Sequence, residues 1–353
     1  MADQTIDEAA PGKTRARRGP SLADVAGHAG VSTQTVSRVA NGLTNVEAAT
    51  RDRVLASMQK LGYRPNKAAR ALRLGRFRSI GVMMFTLSSY GNMRTLDAIA
   101  AAAAAAGYSI TLVPVEHKTQ RDVSDAFTRL LDQAVDGIVI LLEAHIVEEA
   151  DVELPPGLPV VVIDSTPRTD YPLFDTDQNQ GARLATEHLL SLGHETVWHV
   201  AGPAASYSAT RREESWRRTL EEAGRTVPEV LRGDWSTASG YEFGKRIAAR
   251  DDITAVFASN DQMALGVIRA LHEAGRDIPG DVSVVGFDDM SESDSFWPPL
   301  TTVHQDFDVV GRLSLETLIR EIESGPGDPA TSVVPTRLVT RSSTGPAPAR
   351  PAP

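Results

Sequence analysis

Cysteine is absent from the 353 residues. That excludes a disulfide framework and any thiolate metal site, and it suits a reducing cytoplasm. Membrane-length apolar runs are missing too: the longest, such as 137–142, are strand length, and residues 1–20 are polar and lack the apolar run of a signal peptide. The expectation is a cytoplasmic protein with no membrane partner. Signatures of common catalytic sites do not occur either: there is no Gly-x-Ser-x-Gly elbow, no P-loop, no His-Glu-x-x-His and no cluster of metal ligands. The adjacent carboxylates Asp288-Asp289 suggest a glycosidase pair at first sight, but neighbours at one strand end point in different directions. The chain is therefore read as a non-enzyme that needs neither cofactor nor metal.

What is present is a large apolar fraction, 41%, and an uneven charge. The whole chain carries −10, yet residues 1–78 hold 14 Lys and Arg against 6 Asp and Glu, a net +8, while the remaining residues hold 22 against 40, a net −18. A basic head on an acidic body is expected of a DNA-binding domain joined to a domain with another job. The run Lys13-Thr14-Arg15-Ala16-Arg17-Arg18 reads as a solvated, disordered arm that adds phosphate attraction.

Between Leu22 and Asn41, apolar Leu22, Val25, Ala26 and Ala29 repeat at helical spacing, stop at Gly30, and resume as Val36 and Val39. That is helix, tight turn, helix. Small Ala26 lets the helices approach, Gly30 permits the turn, and Val36 anchors the second helix. Ser32 is placed to cap that helix, whose outward Thr33, Gln34, Ser37 and Arg38 suit base edges or phosphates in a major groove. The spacing alone also fits a generic helical hairpin in an alanine-rich protein. A third helix is predicted over 48–61, followed by Gly62-Tyr63-Arg64-Pro65-Asn66. Pro65 breaks the chain and Asn66 can cap the next segment, which is only about two turns long and too short to persist alone in water.

These residues resemble the headpiece and hinge of the lactose-repressor (LacI/GalR) family: Leu22-Ala23-Asp24-Val25-Ala26, Gly30-Val31-Ser32, Thr35-Val36-Ser37-Arg38-Val39, Asn41 and Tyr63-Arg64-Pro65-Asn66. The resemblance implies a homodimer whose two hinge helices pair in the minor groove of double-stranded operator DNA, with Leu72 as the wedge. The DNA-binding set is then Ser32, Thr33, Gln34, Thr35, Ser37, Arg38 and Asn41 in the headpiece, with Asn66, Ala69 and Leu72 in the hinge. One departure is Glu47, where the family usually has Ser or Thr capping the third helix.

From residue 79 the pattern alternates: strands over 80–85, 109–113, 137–141 and 160–163 with helices over 92–106 and 123–133, then helices over 181–192, 212–223, 238–249 and 261–274 with strands over 197–201, 255–258 and 282–286. Buried parallel strands with amphipathic crossovers make doubly wound sheets. The fold class expected is an all-α helix-turn-helix headpiece plus an α/β, two-lobed, periplasmic-binding-protein-like core. The domains would be a disordered arm 1–20, headpiece 21–65, hinge and linker 66–78, core 79–343 and disordered tail 344–353. Lobe one would comprise 79–176 and 307–334, and lobe two 177–306 and 335–343. The return of 301–305 and the helix over 309–322 to the first lobe, and the crossing back over 333–339, rest on the resemblance. The alanine run 100–106 reads as ordinary helix ahead of a dimer contact. The Pro-rich tail lacks the leucine heptads of tetrameric family members, so a dimer is expected.

Ligands of doubly wound folds sit at the carboxyl ends of strands. There the sequence places Asp164, Asn260-Asp261 and Asp288-Asp289, with Arg212 soon after another strand and Trp235 in Gly233-Asp234-Trp235-Ser236. Carboxylates, an amide and a guanidinium suit vicinal hydroxyls, and an aromatic face covers the apolar side of a sugar ring. Asp164, Arg212, Trp235, Asn260 and Asp288 match effector-binding positions in the family, and Phe85 and Gln305 complete the effector set. Tyr90 also follows the first strand. Asp261 and Asp289 read as turn or helix-start residues, and Asn260 can serve as a cap. The function implied is a transcriptional repressor of carbohydrate-utilisation genes released by a small sugar, with a β-galactoside or related glycoside favoured. A purine-responsive regulator and a sugar receptor without DNA function are the alternatives.

Overall fold

The computed structural model describes residues 19–43, 45–64, 75–87, 89–115, 120–141, 157–164, 171–327 and 329–349. The chain divides into two compact units, Met1–Gly75 and Arg76–Pro353.

The first unit holds α1 (Leu22–Ala29), α2 (Thr33–Ala40) and α3 (Ala48–Leu61). Ser21 opens α1 with a capping box: its hydroxyl accepts from the Asp24 N–H while the Asp24 carboxylate accepts from the Ser21 N–H at 2.7 Å. Gly30 ends α1 at φ 63°, a left-handed conformation in which a Cβ would be strained. Val25, Ala26, Ala29, Val36, Val39, Val54 and Met58 form one buried cluster, so the apolar spacing of α1 and α2 is closed over by α3. Glu47 makes no side-chain cap to α3. The proposed hinge residues Asn66, Ala69 and Leu72, like the arm 1–18, lie outside the described residues.

The second unit is built on two six-stranded sheets. The first contains β1 (Ser79–Met84), β2 (Ser109–Pro114), β3 (Gly137–Leu141), β4 (Val160–Ile163), β5 (Leu173–Thr176) and β11 (Thr331–Val334), in the order β11-β5-β4-β3-β1-β2. The second contains β6 (Trp198–Ala201), β7 (Leu231–Arg232), β8 (Ala255–Ala258), β9 (Ser283–Asp288), β10 (Thr301–His304) and β12 (Arg337–Val339), in the order β12-β10-β9-β8-β6-β7. Every pairing is parallel except β10 with β12. β3, β4 and β8 are buried along their length, as expected of strands covered on both faces.

Among the described residues the helices of this unit are α4 (Tyr90–Ala105), α5 (Gln120–Asp132), α6 (Gln178–Ser191), α7 (Tyr207–Glu222), α8 (Thr237–Ala248), α9 (Asp261–Glu273) and α10 (Phe307–Ser324). The alanine run belongs to α4, which buries Thr95, Ile99 and Ala103 and packs Ala98 against Gly311 of α10, where a Cβ would come within 2.7 Å. Its opposite face, with Met93, Asp97, Ala100, Ala101, Ala104 and Ala105, is exposed, so it is a one-sided surface helix.

Three segments link the sheets among the described residues: Asp177 between β5 and α6, Gln305 and Asp306 between β10 and α10, and 335–336 between β11 and β12. The first and the third are tied to each other. The Asp177 N–H donates to the Val334 carbonyl at 2.8 Å, and the Thr336 N–H donates to Gln180 Oε1 at 2.8 Å.

The crossing back expected over 333–339 is present as two short strands in different sheets, joined where Thr336 turns to hydrogen-bond Asp177 and Gln180. Two other points of the sequence reading are amended. Strands β5 and β7 were not foreseen, being short and carrying polar or charged residues. The tail expected to be disordered from 344 is docked through Ala347: the Gly345 N–H donates to Ser283 Oγ at 3.0 Å, the Ala347 N–H to the Leu192 carbonyl at 2.9 Å, and Thr344 Oγ1 pairs with His188 Nε2 at 3.0 Å. Proline forbids helix there, but it does not forbid an extended segment satisfied by the neighbouring lobe.

Candidate functional site

Two sites can be built from the residues. In the first unit, Ser32 caps α2 by accepting from the Thr35 N–H at 3.1 Å, and its hydroxyl pairs with the Thr35 hydroxyl at 3.0 Å. Ser32, Thr33 and Gln34 are exposed at the positive end of the helix, whereas Thr35, Ser37 and Arg38 are half-buried. Asn41 turns back on its own helix, with Nδ2 donating to the Ser37 carbonyl at 2.6 Å and lying 3.3 Å from Ser37 Oγ. In this structure its amide therefore closes the C-terminus of α2. No acidic residue interrupts the exposed face of α2, so it can meet phosphates and base edges.

In the second unit a cleft with about 560 Å³ of empty space, open mouth included, lies at the carboxyl ends of the strands of both sheets. It is lined by Asp164 after β4, Asp175 and Thr176 of β5, Trp235 after β7, Asn260 after β8, Asp288 at the end of β9 and Gln305 after β10, together with Arg212 of α7. Six of the seven effector residues expected from the sequence thus meet in one cleft. Phe85 does not: it packs half-buried on the Met83, Val113 and Phe127 cluster. Tyr90 and Phe307 line the cleft instead, their rings 6.1 Å apart edge to face.

Arg212 is the anchor of the site, with only 5% of its side chain exposed. Its Nε donates to Gln178 Oε1 at 2.8 Å, its Nη1 to the Ser259 carbonyl at 2.5 Å, and Nη1 lies 3.9 Å from Asp288 Oδ1. The guanidinium stacks 3.8 Å from the centroid of Phe287 and 5.5 Å from that of Trp235. Such a planar, fully pinned donor presents its fork in one direction. Gln305 extends the network, Nε2 donating to Asp288 Oδ1 at 2.6 Å while Oε1 accepts from Gln178 Nε2 at 3.2 Å and from the Thr176 hydroxyl. The network therefore joins both lobes.

Behind it His199 is buried between Trp216 and Phe257, with ring centroids at 5.1 and 4.7 Å. Burial drives its pKa down to about 3, so the ring is neutral, bonded through Nδ1 to the Phe257 carbonyl and 3.3 Å from Ser259 Oγ through Nε2. Asp164, Trp235 and Asp288 hold φ values of 55°, 73° and 108°. Non-glycine residues in that region are strained, and three of them around one cleft mark a surface whose side chains are aimed. Trp235 has room because residue 202 is glycine: a Cβ there would lie 2.5 to 2.8 Å from three ring atoms.

Asn260 both caps α9, accepting from the Met263 N–H at 2.8 Å, and donates to the Trp235 carbonyl at 3.1 Å. Asp261 turns away from the cleft to accept from Thr302 Oγ1 at 2.5 Å, Ser293 Oγ at 2.6 Å and the Met290 N–H at 2.9 Å. Asp289 binds Arg341 at 2.6 Å and His304 at 2.9 Å. Both are structural, as the sequence reading preferred. What that reading missed is Asp175, Thr176 and Gln178. Their only signal was three polar residues on the short stretch where β5 leads into α6.

Among the described residues no group of His, Asp and Glu could hold a metal ion, and no helix is long and apolar enough to cross a membrane. Comparison with known proteins gives the context. Residues 186–344 match the periplasmic binding protein-like domain, and residues 21–66 match bacterial regulatory proteins of the lacI family. The lactose operon repressor of Escherichia coli strain K12 is 35% identical over 326 residues, covering 92% of this chain and 90% of the relative. The ribose operon repressor of the same strain is 32% identical over 307 residues, covering 86% and 93%. A crystal structure of the lac repressor dimer bound to operator and the anti-inducer ONPF superposes with a TM-score of 0.84 at 33% identity, covering 93% of this chain and 100% of that one. These named relatives are repressors, and the likeness spans both units. The chain belongs to the lacI family of bacterial regulatory proteins.

Proposed function

We propose that this protein is a homodimeric repressor that binds a palindromic operator through α2 and the hinge, and is released when a small neutral sugar occupies the cleft. The observation that carries the effector half is the Arg212 constellation: a pinned guanidinium, carboxylates Asp164 and Asp288, the amides of Asn260 and Gln305, and the indole of Trp235 around one cleft. Such a set exchanges hydrogen bonds with vicinal hydroxyls and covers the apolar face of a ring. The names of the lactose and ribose operon repressors support a sugar. In the DNA half, Thr33 and Gln34 are the exposed readers, Ser32 and Arg38 serve phosphates, and Asn66, Ala69 and Leu72 act in the minor groove. Thr35, Ser37 and Asn41 shape the helix that presents them.

Because the cleft lies between lobes linked by cross-tied segments, ligand occupancy changes the energy of lobe closure. A coupling of about 1–3 kcal/mol, a usual size for allostery, would weaken the operator about 5- to 150-fold, and operator would weaken sugar equally. Gel-shift titration with a symmetric operator, with and without sugars, tests the proposal. Arg212→Ala should keep operator binding and lose release; release that survives in this variant removes Arg212 from the mechanism. Release by a nucleobase and not by any sugar moves the effector to the purine class.

A further inference from the structure

The cleft is not chemically uniform. Asp175, at the end of β5 in one lobe, lies 3.4 Å through Oδ2 from Nη1 of Arg211 on α7 in the other lobe. Arg211 rests on the ring of Tyr207 at 4.3 Å and donates to its hydroxyl. Asp175 is almost wholly enclosed, with 3% of its side chain exposed, yet it lines the cleft. A carboxylate accepts about four hydrogen bonds. Oδ1 has two good donors, the Thr176 N–H at 2.7 Å and Gln178 Nε2 at 3.2 Å, whereas Oδ2 has the single long contact to Arg211. Oδ2 therefore keeps acceptor capacity for a further donor, on a residue that lines the cleft. Arg211 faces it across the lobe boundary, with 20% of its side chain exposed.

We infer that Asp175, oriented by Arg211 and Tyr207, is a specificity-determining acceptor for a second, hydroxyl-bearing ring of the effector. The cleft then selects a disaccharide over a glycoside with an apolar aglycone. This rests on the reading of the cleft as a sugar site. The selection is physical: an apolar group against Asp175 would seal off a buried carboxylate oxygen without a donor, and a site built to bond a hydroxyl discriminates strongly against analogues lacking one.

The test uses the full-length protein and calorimetric titration with lactose, cellobiose, maltose and melibiose, beside the o-nitrophenyl glycosides of galactose and glucose. Wild type should bind at least one disaccharide at least tenfold more tightly than the aryl glycoside of the same non-reducing sugar. Asp175→Leu should erase or invert that ratio, and Asp175→Asn, which keeps the shape, should reduce it, while gel-shift shows both variants still on operator. An unchanged ratio in both variants, or equal loss for both ligand types, overturns the assignment. So does a wild type that binds aryl glycosides as well as disaccharides, or binds no disaccharide. If disaccharides bind selectively but never release operator, the repressor reading fails and the assignment of Asp175 stands.

Discussion

Gly202 shows how much of the cleft depends on single atoms. Gly202→Ala would drive a methyl group into the Trp235 ring, and overpacking of this kind costs about 1–3 kcal/mol. The expected outcome is sugar affinity lowered by that amount, read by titration of tryptophan fluorescence, with operator binding retained; unchanged affinity would mean the indole does not touch the ligand. Asp261 gives a prediction in pH. Burial pushes its carboxyl up to about 6, above the ordinary value of 3.8, in spite of three donors. Its folded-state pKa being raised, the stability it contributes is fully present below about pH 4 and lost as pH rises through 6. The melting temperature of Asp261→Asn should therefore gain on wild type between pH 4 and 7 and keep a constant offset above it. An offset that does not change with pH would show that Asp261 titrates normally.

At the scale of elements, helix termini and helix contacts decide most. Ser32 donates nothing to the core of the first unit, yet it holds the orphan N–H of Thr35. Ser32→Ala should cost about 1 kcal/mol of headpiece stability, seen as a lower headpiece transition in thermal unfolding and weaker operator binding at unchanged sugar affinity. In the second unit, α8 and α9 meet through glycine: a Cβ on Gly244 would lie 2.7 Å from the Ala270 methyl and 2.9 Å from Val267 Cα. Because one of those atoms is backbone, relief requires the helices to separate. Gly244→Ala is expected to destabilise the core by about 1–3 kcal/mol, whereas Gly224→Ala, with open space but φ 66°, tests backbone strain alone. Equal melting temperatures for Gly244→Ala and wild type would contradict the close approach.

At the scale of the molecule, the second lobe is completed by its last residues. His194 is buried, its Nδ1 2.9 Å from Thr254 Oγ1 and its Nε2 3.2 Å from the Gly345 carbonyl, and burial lowers its pKa. Ending the chain at Thr344 removes that carbonyl and the Gly345 and Ala347 N–H bonds. The Ser283 hydroxyl donates to the same carbonyl, so four hydrogen bonds are lost, and at about 1 kcal/mol for each the core should lose about 4 kcal/mol. Calorimetry should then show a melting temperature lower by several degrees; no change would mean the tail is dispensable.

Most strands and helices of the core, the helix-turn-helix and six of the seven residues expected to share a cleft were legible because each has a local cause. Apolar period separates helix from strand, Gly30 and Ser32 mark helix ends, and a polar residue after a buried strand lies where clefts form. Asp175, Phe85 and the tail were not legible for the opposite reason. Whether a residue at a strand end enters the cleft or the core depends on its neighbours across the sheet, and whether a Pro-rich segment is held depends on donors and acceptors more than fifty residues away. The sequence by itself determined the helices and the long buried strands, and the polar residues that follow those strands. Only the tertiary structure decided which of those side chains share a cleft, because long-range packing and hydrogen bonding between lobes leave no periodic mark in the chain.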